Sequence, residues 1–584
     1  MKLTFTDDNV VINSVNYSHY SRRENLNLHD NHCFCDVQLY IQDNQQSIVS
    51  DIEKWHTDLY NFFNPRLKYW FLTLSSRLEI LHPIFEPLIF SIGLIEYCKK
   101  NCIDELQVIN CPNEVLQYIK ELSPSSEILD ERSQAKNKKK SHIFNSLIKA
   151  SKFSGKFILN SLFFSRKKIK IDEIKNIVFT SASSKESLQK FDDRYYGKML
   201  ENAYSLKYVN TLWLFIRDVK ASHNKNIMNS DWKYENVLHF LTLGDVFRTL
   251  KVSVCEYILV FYYSRKNQSI VISDYKSHVF YRYYVQQVLL SHLIVNEFAI
   301  YTVIKKILLR HDVGNIIYPM EGKTMENAIL FATKEDNSVK TIGYVHAFSH
   351  NLDSCLKSLY SRGINLELES DIIATTGETI SIWMKEWGGY PKHKIVNFGS
   401  HKYKDLIPRK TNKVKPCLLI ALSLNSELIQ LANFIESDNT IFEAYDVVLR
   451  PGPTVTGIEQ DKHISKILSM TDNFQLNNDT MINQIQWSDI VIFNVTSVGI
   501  ESVLMGRIAI YVSLSNIFEI DTLEGRADKK TFLYSSNLIQ LKSNMSKIFN
   551  LSNDEYNFYL SKQYDYAKNI YAKEDLDNIN KVIV

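Results

Sequence analysis

Two loops in the last third of the chain carry the side chains best suited to hold an anion. One follows the apolar run Val447-Val448-Leu449 and reads Arg450-Pro451-Gly452-Pro453. The other follows Ile490-Val491-Ile492-Phe493 and reads Asn494-Val495-Thr496-Ser497, after which Val498 to Gly506 runs with helical character. Hydroxyls at a helix start, beside backbone N–H groups that have no partner within the helix, make a ready anion site. An arginine at the end of a neighbouring parallel strand adds a planar clamp that can grip a phosphate through two bonds. Ligands of open α/β sheets gather at the carboxyl ends of strands. A nucleotide phosphate is therefore the expected occupant.

The elements that must position these loops read as alternating strands and helices. Asn176-Ile177-Val178-Phe179-Thr180, a strand within Val209–Val219, Asn315-Ile316-Ile317-Tyr318 and Lys340 to His346 are strand-like, with a largely helical block before Arg310. Such alternation argues for a parallel sheet. A second α/β unit is expected to open near Asp371 with Ile372-Ile373-Ala374-Thr375, continuing through Cys417 to Leu422. The turn Ser423-Leu424-Asn425-Ser426-Glu427 then opens a helix with Ser426 as its cap, so Ser423, Asn425 and Ser426 are expected to face the same cleft as Arg450. Earlier in the chain, Asp104 to Asn110 reads as a strand and Pro112-Asn113-Glu114-Val115 as a helix start, the expected beginning of the first sheet.

The composition is that of an ordinary globular chain: 584 residues, 45% hydrophobic and 23% charged, with Lys+Arg 68 against Asp+Glu 65. That balance argues against a nucleic-acid partner. The eight cysteines form no zinc-like double pattern, so reduced thiols in the cytoplasm, no metal site and no cofactor are expected. The first residues lack the apolar core of a signal peptide, and Pro83, Glu86 and Pro87 interrupt the most apolar run, Ile80 to Cys98. Residues 123–170 differ in character. Between Lys136 and Lys170 there is no Asp or Glu, while Phe144, Leu147, Phe157 and Phe163 recur near helical spacing. Such a basic amphipathic stretch either lies on an anionic membrane surface or packs its apolar face on the protein.

Four segments together carry a resemblance. Tyr318-Pro319-Met320-Glu321-Gly322-Lys323 ends one strand in an acid, and Gly343-Tyr344-Val345-His346 ends the next in a histidine. Asp371 to Glu378 precedes Tyr390-Pro391 and Asn397-Phe398-Gly399, and the Arg450 and Thr496-Ser497 loops follow. With Asp193-Arg194-Tyr195-Tyr196-Gly197 upstream, these resemble bacterial surface-carbohydrate glycosyltransferases related to CMP-sugar sialyltransferases and Kdo transferases. The resemblance implies a GT-B fold, two Rossmann-like domains facing each other across a cleft. The expected divisions are 1–370 for the acceptor domain with its insertion at 123–170, 371–552 for the donor domain, and 553–584 as a helix crossing back.

The resemblance also implies roles. Glu321, beside Gly322, falls where the family has its general base, the other reading being a helix-dipole acid. His346 is a base or an acceptor-binding group, or a core histidine. Glu326, Gly322 and Lys323 are expected to position the acceptor. Arg450, Gly452, Pro453, Thr496 and Ser497 are expected at the donor phosphate, and Glu501 either holds ribose hydroxyls or caps its helix. One departure stands out: Gly452 occupies the place of the family's histidine before Pro453. The implied reaction is inverting, metal-independent transfer of a nonulosonic acid or Kdo-like sugar from a CMP donor to a glycan or glycolipid acceptor, in the cytoplasm or on the inner membrane face through 136–170. A CDP- or UDP-activated donor, or a non-catalytic scaffold, is the alternative.

Overall fold

The structure is a computed structural model. It describes residues 2–3, 40–41, 43–63, 86–100, 105–109, 113–122 and 127–131. From 173 to 583 it describes all but 181–192, 204–210, 216–233, 264–268, 285–294, 335–337, 348–355, 362–367, 409–414, 423–426, 453–457, 514–522, 524–530 and a few single or paired residues.

Four sheets are present among the described residues. The smallest parallel one holds β1 (Lys2–Leu3), β2 (Glu105–Ile109) and β3 (Glu127–Glu131) in that order. The next begins with β4 (Asn176–Thr180), β5 (Thr211–Phe215) and β6 (Tyr234–Asn236). An antiparallel hairpin, β7 (Ile270–Ile272) with β8 (Tyr275–Ser277), interrupts it. It resumes with β9 (Asn315–Pro319), β10 (Lys340–Val345), β11 (Ile372–Thr375) and β12 (Ile395–Asn397). Across this seven-stranded sheet the order is β6-β5-β4-β9-β10-β11-β12, every pairing parallel. The last sheet comprises β13 (Cys417–Leu422), β14 (Asp446–Pro451), β15 (Phe474–Leu476), β16 (Ile490–Phe493) and β17 (Ile508–Tyr511), in the parallel order β15-β14-β13-β16-β17.

Both large sheets follow one rule. From its first strand the chain adds two strands to one side, crosses back, and then adds the rest to the other side. This is the doubly wound Rossmann order, with a switch point where the direction of growth reverses. The switch points lie between β4 and β9 and between β13 and β16. Two such domains in tandem form the GT-B fold. Their central strands are buried throughout: all six residues of Cys417–Leu422 and all five of Asn176–Thr180, as strands covered on both faces by helices must be.

Two details differ from the sequence-based expectation. The unit at 104–122 does form, as β2 followed by the helix Asn113–Leu122, but it belongs to the separate three-stranded sheet. Strands β11 and β12 pair onto β10. The second sheet therefore starts at Cys417 rather than near Asp371, because the apolar run after Asp371 finds its hydrogen-bonding edge on the first sheet.

The segment after residue 552 ties the two halves together. The helix Asn553–Ile570 packs on β17, where the Gln563 amide donates to the Ala509 carbonyl at 2.7 Å and accepts from the Ala509 N–H at 2.9 Å. Beyond it, Ala572 N–H donates to the Thr376 carbonyl at 2.8 Å, Ser400 N–H to the Ala572 carbonyl at 2.9 Å, and Asp575 N–H to the Phe398 carbonyl at 3.0 Å. Ile579 and Ile583 then enter the core formed by Val178, Tyr196, Ile342, Tyr344 and Phe398 of the first sheet. Gly399 is required here. It has φ +76°, and a Cβ on it would lie 2.2 Å from the Lys573 carbonyl oxygen, a separation no side chain can adopt.

Candidate functional site

At the first switch point, the loops following β4 and β9 converge. Asp193 and Gly197 bond each other across a tight turn, and the Asp193 carboxylate accepts from the N–H groups of Tyr195 at 2.7 Å and Tyr196 at 3.0 Å. That turn aims the Tyr195 hydroxyl at Glu321 Oε2, 3.4 Å away. His346, at the end of β10, places Nε2 3.7 Å from Glu321 Oε1. The Tyr195 and His346 rings meet edge to face, centroids 4.5 Å apart. The Lys323 ammonium contacts Glu321 Oε2.

Glu326 builds the turn that presents Glu321. It is buried, and its carboxylate accepts from the N–H groups of Glu321 at 2.8 Å, Gly322 at 3.1 Å and Lys323 at 3.0 Å. Gly322 sits at φ +70°, which lets three successive N–H groups point at one acceptor. Burial pushes the Glu326 carboxyl up to about 8, against the opposing pull of those backbone donors. Glu326 thus braces the backbone, whereas Glu321 is partly open to solvent.

In the second sheet, Arg450, Ala421 and Phe493 lie abreast on β14, β13 and β16. The Arg450 guanidinium donates to Gln484 Oε1 at 2.6 Å and to the Asp479 carbonyl at 3.2 Å. It therefore reaches sideways to the start of the helix Met481–Trp487. Gly452 is half-buried just beyond β14. Thr496 Oγ accepts from the Val498 N–H at 3.3 Å, and Ser497 Oγ donates to Glu501 Oε1 at 2.7 Å. The Glu427 carboxylate, itself buried, accepts from the Val495 N–H at 3.1 Å and steadies this loop. Pro453, Ser423, Asn425 and Ser426, together with the basic stretch 136–170, lie outside the described residues.

Two side chains to which the sequence assigns no role belong to these clusters. Tyr195 comes from a turn 126 residues before Glu321. Lys402 follows β12 and donates to Glu501 Oε1 at 2.8 Å, with its ammonium 5.0 Å from the centre of the Tyr571 ring. Burial by itself would lower the Lys402 ammonium, but the Glu501 carboxylate outweighs it and holds the group above its ordinary range. The adjacent His401 is half-buried and packs on Gly197, whose Cβ, if it had one, would lie 2.5 Å from the His401 Cβ. Burial holds that imidazole down to about 4. Tyr195 stands within the Asp193–Gly197 motif, whereas the only sequence signal for Lys402 is its proximity to Asn397-Phe398-Gly399. Among the described residues no cluster of His, Cys, Asp or Glu could hold a metal ion, and no helix is long and apolar enough to cross a membrane.

No family model matches the chain, and no curated protein is significantly similar to it. Solved structures are. A glycosyltransferase from Rickettsia africae is 12% identical, with 70% of this chain and 96% of that one covered and a TM-score of 0.41. An Anabaena protein in complex with UDP and glucose is 9% identical, covering 70% and 98%, TM-score 0.41. The UDP-N-acetylglucosamine 2-epimerase of Neisseria meningitidis, bound to its UDP-sugar, is 11% identical, covering 70% and 98%, TM-score 0.39.

These findings correct the expected resemblance. Where the matched proteins are named with a nucleotide, it is UDP or UDP-N-acetylglucosamine. The CMP donor, the sialyltransferase-like relationship and the Kdo-type sugar are therefore withdrawn. The motifs behind the resemblance, a strand ending in Glu-Gly and a Thr-Ser pair opening a helix, are local solutions to holding charge at a strand end. They do not distinguish one nucleotide from another.

Proposed function

We propose that this chain is an enzyme that transfers a sugar from a UDP-activated donor to a glycan or glycolipid acceptor. The observation that carries the reading is the convergence of Glu321, His346 and Tyr195 at the switch point of the first Rossmann sheet. A carboxylate with an imidazole, a phenol and an ammonium around it is equipped to take a proton from an acceptor hydroxyl. Glu321 is the base in this reading. Tyr195 and Lys323 fix its orientation, His346 either relays the proton or binds the acceptor, and Glu326 with Gly322 holds the turn.

The donor belongs to the second sheet. Thr496, Ser497 and Arg450 serve its phosphates, and Glu501, held by Lys402, faces the ribose. Gly452 and Pro453, with Ser423, Asn425 and Ser426, complete the rim. The uridine follows the nucleotides named for the solved structures of similar shape. The finer location we propose is the cytoplasmic face of the membrane, reached through 136–170, where lipid-linked acceptors would be met.

A panel of UDP, CDP and CMP tests the donor assignment. A nucleotide at a hundred times its Kd stabilises the folded chain by about 2.7 kcal/mol, visible as a raised melting temperature. UDP is expected to give the largest shift. An equal or larger shift with CMP sinks the uridine assignment. Appearance of the epimeric sugar with no acceptor present would replace transfer by epimerisation.

A further inference from the structure

The helix Leu243–Tyr263 is apolar on its solvent side as well as on its buried side. Its buried side, on a helix that packs against Val295–Leu308, places Val246 and Val260 in the core with Thr249, Ser253 and Glu256 buried beside them. The side toward solvent carries Leu243, Phe247, Val254, Ile258, Leu259 and Tyr262, with Phe247 71%, Ile258 58% and Tyr262 62% exposed. A helix that only covers a core carries polar side chains on the side facing solvent. Leu243, Phe247, Val254, Ile258 and Tyr262 recur along one stripe, and at 1.5 Å per residue that stripe runs for nearly 30 Å. Only two charged side chains share the exposed face, Arg248 and Lys251, both basic. The acids of the helix point away from it: Glu256 is buried, and Asp245 pairs with Lys306 and accepts from the Thr242 N–H at 2.7 Å.

We propose that this face lies on an anionic lipid surface, its apolar stripe in the acyl boundary and Arg248 and Lys251 at the headgroups. A long single-helix face with aromatic and aliphatic side chains, bases and no acid is the chemistry of an interfacial helix. Contiguous exposed apolar surface of this length is unusual for a free-standing face. A second copy of the chain fits less well. A two-fold contact through this stripe would gather two arginines and two lysines with no carboxylate on the face to neutralise them. The helix face rests on the peripheral location proposed above and gives it an apolar contact within the described residues.

Sedimentation of the full chain with phosphatidylcholine vesicles, with and without phosphatidylglycerol, tests this. Binding is expected only with phosphatidylglycerol. Removing one large apolar side chain from a buried position costs about tenfold or more in affinity, so Phe247→Glu with Ile258→Glu should lose binding at least a hundredfold. Arg248→Gln with Lys251→Gln should lose it several-fold, and less so in high salt. Both pairs are at the surface, and unchanged circular dichroism and melting temperature confirm folding; Phe247→Ser with Ile258→Ser replaces the glutamates if they do not fold. Vesicle binding that survives these helix variants but disappears on deleting 136–170 overturns the helix face and leaves the peripheral location standing. No binding by the intact chain overturns both. A dimer of the intact chain that the helix variants convert to monomer, without vesicle binding, assigns the face to a second copy instead.

Discussion

The two switch points of this molecule are built on the same strand order but furnished differently. At the first, the functional side chains interact with one another: Tyr195, His346 and Lys323 all converge on Glu321. At the second, each side chain is anchored to something beside the loop. Arg450 is held by Gln484 and the Asp479 carbonyl, and Glu501 by Lys402 and Ser497. A self-contained cluster suits proton transfer, where donor and acceptor must already be within reach. Laterally braced groups suit a ligand that arrives with its own charges and takes up the remaining bonding capacity. Rossmann topology supplies the crevice, and side-chain wiring decides its use.

The largest effect should come from breaking the self-contained cluster. Glu321→Gln preserves the shape and removes the proton acceptor, so turnover of a UDP-sugar should fall by about 10²–10⁴-fold with UDP affinity unchanged. Comparable losses in turnover and UDP binding would show that the two sites are not separately wired.

Next comes the brace at the second site. Lys402→Met leaves the Glu501 carboxylate buried without its partner, a change that costs about 3–5 kcal/mol and is measurable by chemical denaturation. Adding Glu501→Leu should recover most of that loss, because the pair removed together leaves no orphan charge. If the single substitution is silent, Glu501 is not braced as described.

A third test uses acid. The His401 imidazole is held at about 4, below its ordinary 6.5, so the unfolded chain takes up the proton first as pH falls. The stability from keeping it neutral is fully present above about 6.5 and is lost as pH drops toward 4, reaching up to roughly 3 kcal/mol. His401→Gln should flatten the slope of stability against pH across that window. An unchanged slope would place the acid sensitivity elsewhere.

The smallest expected effect is at Arg450. Its replacement by Ala removes a charge-assisted bond of about 1.5–3 kcal/mol to a phosphate, and titration calorimetry should show UDP binding weakened about tenfold or more. No loss would leave Arg450 as a strut for the helix Met481–Trp487.

The architecture was legible because parallel strands buried on both faces write themselves as apolar runs. Asn176–Thr180, Asn315–Pro319, Cys417–Leu422 and Ile490–Phe493 all stand out for that reason. Which sheet each run joins did not follow, since Ile372–Thr375 would suit either and the choice is made by the neighbouring edge. The local motifs, Thr496-Ser497 and Glu321-Gly322, were visible as strand-end loops. The roles of Tyr195 and Lys402 were not, because they reach their partners across 126 and 99 residues of chain. Nucleotide identity is still less legible, for it depends on contacts to the base, which a phosphate motif does not encode.

The segment that returns to the first sheet has a mechanical consequence. Two stretches of backbone join the halves, one outgoing after Asn397 and one returning after Ile570, and they lie side by side, bonded at Ser400–Ala572 and Phe398–Asp575. A single connector would let the halves swivel freely, whereas two fastened together act as a strap that resists twisting and bends mainly along one line. Residues 571–583 are therefore part of a joint rather than a tail. A fusion or truncation at that end would unfasten the strap and lift Ile579 and Ile583 from the first core, loosening the molecule far from either switch point.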